Sequence, residues 1–182
     1  DESLMKKLNL GCGHDIRRGW INLDSASLPG VDVVHNLEDY PWPFPDGYFE
    51  ELYAKDVLEH IEYIDALREA LRVLKPGGRF MIRVPHFTSA DNYIDPTHKK
   101  QFSVFTFDFF VKDSAMARNY YFDFAFSEIQ GKSIRFLKSR VFFVNIVIER
   151  LVNISDRTQR FYEATGMSRL FPAKEIVVTL VK

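Results

Sequence analysis

One cysteine, Cys12, excludes an internal disulfide and suits a reducing compartment. Neither charge sign dominates: 24 Lys and Arg stand against 25 Asp and Glu, for a formal net charge of −1. Such a chain has no global field to draw it to nucleic acid or to an anionic membrane surface, and neither partner is expected. Long apolar runs are missing too. The longest, Val141 to Ile148, is broken by Asn145 and is far too short for a bilayer. No signal peptide, repeat or low-complexity tract stands out, so a cytoplasmic location is expected. The histidines form no ligand spacing such as H-E-x-x-H, so no metal is expected. Asp1 to Leu4 precede a possible start at Met5. What is present is ordinary globular composition, 46% hydrophobic and 27% charged, at a length suited to one domain over residues 1–182. The outlier is phenylalanine, with 17 residues.

The most informative stretch is Leu8-Asn9-Leu10-Gly11-Cys12-Gly13. Leu8 and Leu10 fit a buried parallel strand, and the Gly-x-Gly turn lets the backbone bend sharply and approach a ligand. Trp20 to Asp24 reads as a second strand ending in a carboxylate. An ionised Asp at that place can accept from both hydroxyls of a ribose, or it can simply cap a turn with Ser25. Only about ten residues separate the two strands, near the lower limit for a parallel crossover, so the first helix is expected to be a turn or two.

Val31 to Val34 gives a third strand. Tyr40 to Gly47, with three prolines, is an ordered loop. Phe49 to Ala54 is a fourth strand, followed by a short helical turn from Lys55 to Ile61. Ile64, Leu67, Leu71 and Leu74 then fall at helical spacing, with Pro76-Gly77-Gly78 ending the helix. Arg79 to Val84 is a fifth strand. This alternation is the pattern of a parallel α/β sheet. Beyond Pro85 the pattern is looser. Ten aromatics lie between Phe102 and Phe126. Phe124 to Phe136 suggests a hairpin turning at Gly131. Phe143 to Phe161 suggests one long helix ending near Gly166, although its β-branched start also suits a strand, and Ile176 to Val181 is a last strand.

Taken together, the glycine loop, Asp24, Pro43 to Phe49, Val57-Leu58-Glu59-His60-Ile61 and Leu74 to Phe80 appear in the order typical of class I S-adenosylmethionine-dependent methyltransferases of the small type 11 kind, which residues 7–86 resemble. The resemblance implies a three-layer, Rossmann-like α/β fold whose seven-stranded sheet is mostly parallel with an antiparallel last strand. It implies S-adenosylmethionine as cofactor and S-adenosylhomocysteine as product. Carried over by position, the methionine part lies over Gly11, Cys12 and Gly13, and Asp24 with Ser25 meets the ribose. Asn36 and Leu37 lie along the adenine, and Lys55 and Asp56 line the pocket floor. Three departures stand out. Asn9 replaces a frequent carboxylate, Asp15 a frequent third glycine, and Asn36 a frequent Asp.

A nicotinamide-dependent oxidoreductase opens similarly, but its G-x-G-x-x-G would need glycine where Ile16 stands. A cofactor-binding scaffold without turnover is the other alternative. Methyl transfer from a sulfonium chiefly needs alignment, and a hydroxyl acceptor also needs a base. His60, His86 and His98 are the candidates. Residues 1–85 then form the cofactor half. Residues 86–182 form the acceptor-binding and sheet-completing half, with the aromatics of 102–126 walling a pocket, or else simply forming core or a homodimer interface. Lys99, Lys100, Lys132, Arg135, Lys138 and Arg140 form either solvated surface or a patch for an anionic, sugar-type small molecule.

Overall fold

The computed structural model describes residues 6–117, 120–139 and 143–182. Its strands are β1 (Lys7–Leu10), β2 (Ile21–Asp24), β3 (Val33–Val34), β4 (Phe49–Lys55), β5 (Leu74–Pro85), β6 (Glu128–Arg135) and β7 (Glu175–Val181). They form one seven-stranded sheet in the order β3-β2-β1-β4-β5-β7-β6. β7 pairs antiparallel with both β5 and β6, while β1 to β5 pair parallel, as the resemblance implies. The helices are α1 (Tyr63–Val73), α2 (Asp91–Ile94), α3 (Val144–Val152), α4 (Asp156–Ala164) and α5 (Met167–Leu170), with a 3-10 helix at Thr106–Phe110.

One face of the sheet carries the core. Leu8 and Leu10, Leu52 and Ala54, Phe80 and Ile82, and Val178 and Leu180 stand side by side across four strands and are buried. Ala66, Leu67, Ala70 and Val73 of α1 pack into the same cluster, the stripe expected of an amphipathic helix. On the other face the same register aligns Asn9, Tyr53, Met81 and Thr179. That face is covered more thinly: Met81 is exposed, and Arg17 stacks on Tyr53 at 3.4 Å.

The short first crossover contains no helix; its residues form turns. Buried amides hold it instead. Asn9 Nδ2 donates to Asp15 O (2.8 Å) and to Asn22 Oδ1 (3.0 Å). Asn22 Oδ1 also accepts from Arg17 N, and Asn22 Nδ2 donates to the Arg17 and Trp20 carbonyls and to Asp32. Asn9 is thereby spent on structure at the position where the resemblance leads one to expect a carboxylate.

Four local expectations are corrected. The Lys55–Ile61 segment is not helix: Lys55 closes β4, and bends and a turn follow over 56–61. Helix α1 ends at Val73, before Pro76-Gly77-Gly78, because Leu74 is already extended and pairs with Phe49; the glycines lie in an irregular stretch of β5. Gly131 makes no hairpin turn. Residues 128–135 form one strand against β7, with a register shift between Ile129 and Gly131. The long helix from 143 onward is broken into α3, α4 and α5. Ser155 caps α4 through a capping box with Thr158, and Asn153 bonds both the N–H and the carbonyl of Ile134.

Candidate active site

In an open sheet the ligand crevice lies beyond the carboxyl ends of the strands, where the strand order reverses. Here that point is between β1 and β4. A cavity of about 200 Å³ sits there, lined by Gly11, Asp24, Ser25, Asn36, Leu37, Asp56, Val57, His60 and Ile61. Six of the nine expected cofactor residues are among them. Cys12 is buried beside the cavity, and burial together with nearby Asp24 pushes its thiol pKa up, which keeps it an unreactive thiol. Lys55 lies in an adjoining cleft.

Gly11 and Gly13 both take left-handed backbone, φ 56° and 49°. A Cβ on Gly11 would lie 2.5 Å from Val57 Cγ2, so this glycine is demanded by the packing of the β1 and β4 turns as well as by any ligand. Asp24 ties the loop together: Oδ2 accepts from Gly13 N (2.8 Å) and Oδ1 from Ala26 N (2.9 Å). Each oxygen keeps a second lone pair that a ribose hydroxyl can use. Asn36 Oδ1 accepts from Glu38 N (3.1 Å) and likewise retains acceptor capacity.

The adjoining cleft, about 470 Å³, is lined by Lys55, Asp56, Glu59, His60, Arg83, Pro85, Asp91, Ile94, Asp95, His98, Lys174 and Glu175. It shares Asp56 and His60 with the smaller cavity. Asp56 itself has left-handed backbone, φ 54°, and burial pushes its carboxyl up. The rings of His60 and His98 meet edge to face, with centroids 4.6 Å apart. Burial and then His98 lower the His60 pKa, favouring the neutral ring. Thr97 Oγ1 gives its proton to Asp95 Oδ1 (2.6 Å), so it accepts from His60 Nδ1 (2.9 Å) and leaves the Nε2 lone pair free. Glu59 is fully buried beside them, and burial pushes its carboxyl up to about 8.

His86 does not join this group. It is fully buried. Its Nδ1 accepts from Thr88 N (3.1 Å), which places the proton on Nε2, 3.1 Å from Glu163 Oε1. The expectation that it faces the cleft is therefore corrected: at the end of β5 its side chain turns toward α4.

Of the readings of the aromatic segment, core holds for five of its rings. Phe102, Phe105, Phe107, Phe110 and Phe126 are buried in the core, and no strand forms over 122–126; these five rings are not available as a homodimer interface, while Tyr120 and Tyr121 are exposed. Phe105 does line a cavity of about 580 Å³ with Asp108, Lys132 and Arg160, but that cavity shares no residue with the cleft of His60 and His98. Four of the basic residues are engaged in ion pairs. Lys132 pairs with Asp108 and Asp156, Arg135 and Lys138 with Glu149, and Lys100 with Glu62. Arg140 lies outside the described residues. Sequence reasoning missed Glu59, Arg83, Asp91, Ile94, Lys174 and Glu175 as cleft residues; of these, Glu59 lay inside a motif it had used.

Residues 4–82 match the methyltransferase domain family. A mycobacterial protein from Mycolicibacterium smegmatis, named a probable S-adenosylmethionine-dependent methyltransferase, is 29% identical over 117 residues, 52% of this chain and 45% of that one. The ubiquinone/menaquinone biosynthesis C-methyltransferase UbiE of Vibrio cholerae is 35% identical over 74 residues, 37% of this chain and 28% of that one. The chain thus spans less than half the length of the curated relatives it matches. A SAM-dependent methyltransferase structure from Archaeoglobus fulgidus superposes with a TM-score of 0.63 over 100% of this chain and 87% of that one, at 18% identity. The family match over residues 4–82 and the fold of the whole chain both point to the class I S-adenosylmethionine-dependent methyltransferases, whose cofactor is S-adenosylmethionine. No helix among the described residues is long and apolar enough to cross a membrane.

Proposed function

We propose that the chain binds S-adenosylmethionine in the cavity beyond β1 and transfers its methyl group to a small polar acceptor seated in the cleft of His60 and His98. The carrying observation is that the two spaces meet at Asp56 and His60. A methyl group aimed out of the first would enter the second, which is the alignment a direct displacement needs. Gly11, the glycine-loop residues Cys12 and Gly13, Asp24, Ser25, Asn36, Leu37 and Asp56 hold the cofactor. Cytoplasmic location and a single acting unit over residues 1–182 belong to the same reading.

The cleft is lined almost wholly by ionisable and polar side chains, with Pro85 and Ile94 the exceptions. This favours a polar acceptor, such as a hydroxylated or sugar-type compound, over an extended apolar one. Proton removal from a hydroxyl falls to the cluster around His60 and His98. His86, with both ring nitrogens engaged, serves structure. The test is incubation with methyl-labelled cofactor and a fractionated extract of polar metabolites. Label is expected in an acceptor fraction, and it is expected to fall at least tenfold with His98→Ala while cofactor affinity holds. Cofactor binding with no label transferred to any fraction would instead support a scaffold.

A further inference from the structure

We infer that Glu59, His60 and His98 form a binding site for a first-row divalent cation at the wall of the cleft. The inference rests on the cleft's geometry and needs no methyl transfer to hold. One donor atom from each of the three residues lies within 4.8 Å of the other two. Glu59 and His60 come from the turn after β4, and His98 from the segment beyond α2, so the grouping exists only in the fold.

Three further observations point to a ligand. First, both carboxylate oxygens of Glu59 are buried without a hydrogen-bond partner; they are two of the six such side-chain atoms among the described residues. A buried carboxylate with no partner is costly, and a cation is the partner that would satisfy both oxygens. Second, no ammonium or guanidinium supplies that charge among the described residues. Of the cleft's cations, Arg83 pairs with Glu175 and Lys55 with Asp15, and Lys174 makes no hydrogen bond to the Glu59 carboxylate. Third, the supporting contacts are those a ligating histidine requires. Asp95 and Thr97 fix His60 as the Nδ1–H tautomer, with Nε2 left to bind, and the Lys99 and Lys100 N–H groups fix the Glu59 carbonyl.

Glu59 Oε1 and His98 Nε2 stand 4.0 Å apart. Ligands on a tetrahedral ion with bonds of about 2.0–2.1 Å stand about 3.4 Å apart, so modest side-chain rotation closes the site. Two imidazoles and one carboxylate suit zinc, iron, cobalt or nickel better than magnesium or calcium. Three protein ligands on the edge of an open cleft leave a coordination position for an acceptor oxygen. The expectation of no metal, drawn from spacing along the chain, had no access to this grouping.

The test uses the full chain, stripped with EDTA and titrated with zinc chloride by calorimetry. Cobalt(II) serves as a second probe through its visible ligand-field bands. One ion per chain is expected. Glu59→Gln, which keeps the side-chain shape, and His98→Ala should abolish binding. Thr97→Val, which removes the outer partner of His60, should weaken it about 10- to 100-fold. His14→Ala and His35→Ala should leave it unchanged. Thermal melting confirms that each variant is folded, and Glu59→Gln decides if His98→Ala is not. No stoichiometric binding by the wild-type chain would overturn the inference. So would binding that survives Glu59→Gln, or that is lost with His14→Ala or His35→Ala. Cofactor binding is measured separately, so failure of the methyltransferase reading would leave this result standing.

Discussion

At the scale of single residues, two carboxylates show how burial and bonding divide structural from functional work. Asp24 is partly exposed and bonds only to main-chain N–H groups. Asp24→Ala is expected to weaken binding of S-adenosylhomocysteine about 10- to 100-fold in a calorimetric titration, since hydrogen bonds to a charged acceptor are worth about 1.5–3 kcal/mol. Unchanged affinity would mark it as a turn residue alone. Glu163 is the structural case. Burial pushes its carboxyl pKa up, but bonds from His86, Ser103 and the Val104 N–H outweigh burial and leave it lowered. A folded pKa below the unfolded value of about 4.3 contributes stability that is full above that pH and is lost as pH falls through the folded pKa. Urea midpoints should therefore drop less steeply below about pH 4.3 for Glu163→Gln than for the wild type. Equal slopes would show that another carboxylate governs acid unfolding.

At the scale of elements, what was legible depended on whether neighbours along the chain decided the structure. β1, β4, α1 and β7 were legible because their apolar spacing matches the face they bury. The glycine loop and Asp24 were legible because backbone freedom and a strand-end carboxylate are local properties. The helixless crossover, the broken α3–α4–α5 segment and the single strand β6 were not. Each is set by a distant partner: Asn22 for the crossover, the Ile134 backbone for Asn153, and β7 for the residues around Gly131. The histidines divided in the same way. His60 and His98 meet only because the segment after α2 folds back on the β4 turn, and His86 is turned inward by Glu163 of α4. Asn22→Leu tests the crossover directly. It would remove the acceptor of the Arg17 N–H and of one Asn9 amide N–H, and a buried group left unpaired costs about 1–3 kcal/mol. The expected outcome is a loss of at least that size in denaturant unfolding, together with weaker cofactor binding because the turn after β1 is no longer held. A change below about 0.5 kcal/mol would show that water replaces the amide without cost.

At the scale of the whole molecule, the sheet order itself makes the strongest prediction. The reversal between β1 and β4 puts the ends of two adjacent strands, each leading into a left-handed residue (Gly11 and Asp56), on one crevice. The smaller cavity, about 200 Å³, falls short of the roughly 300–1,000 Å³ of common ligand sites, but it shares Asp56 and His60 with the 470 Å³ cleft, so the two spaces are neighbours that a nucleoside with an extended tail could use together. A ligand that binds only the folded state at 100 times its dissociation constant adds about 2.7 kcal/mol. For a chain of this length that is a melting shift of roughly 5–10 °C. S-adenosylhomocysteine is expected to produce that shift, and NAD none, because the crossover after Gly13 offers no helix N-terminus for a pyrophosphate. The same titration on Asp24→Ala should need about 10- to 100-fold more ligand for an equal shift. A shift with NAD, or none with millimolar S-adenosylhomocysteine, would mean that the crevice is tuned to a different ligand than its fold relatives suggest. A shift in the wild type that Asp24→Ala does not alter would place the ligand elsewhere on the sheet.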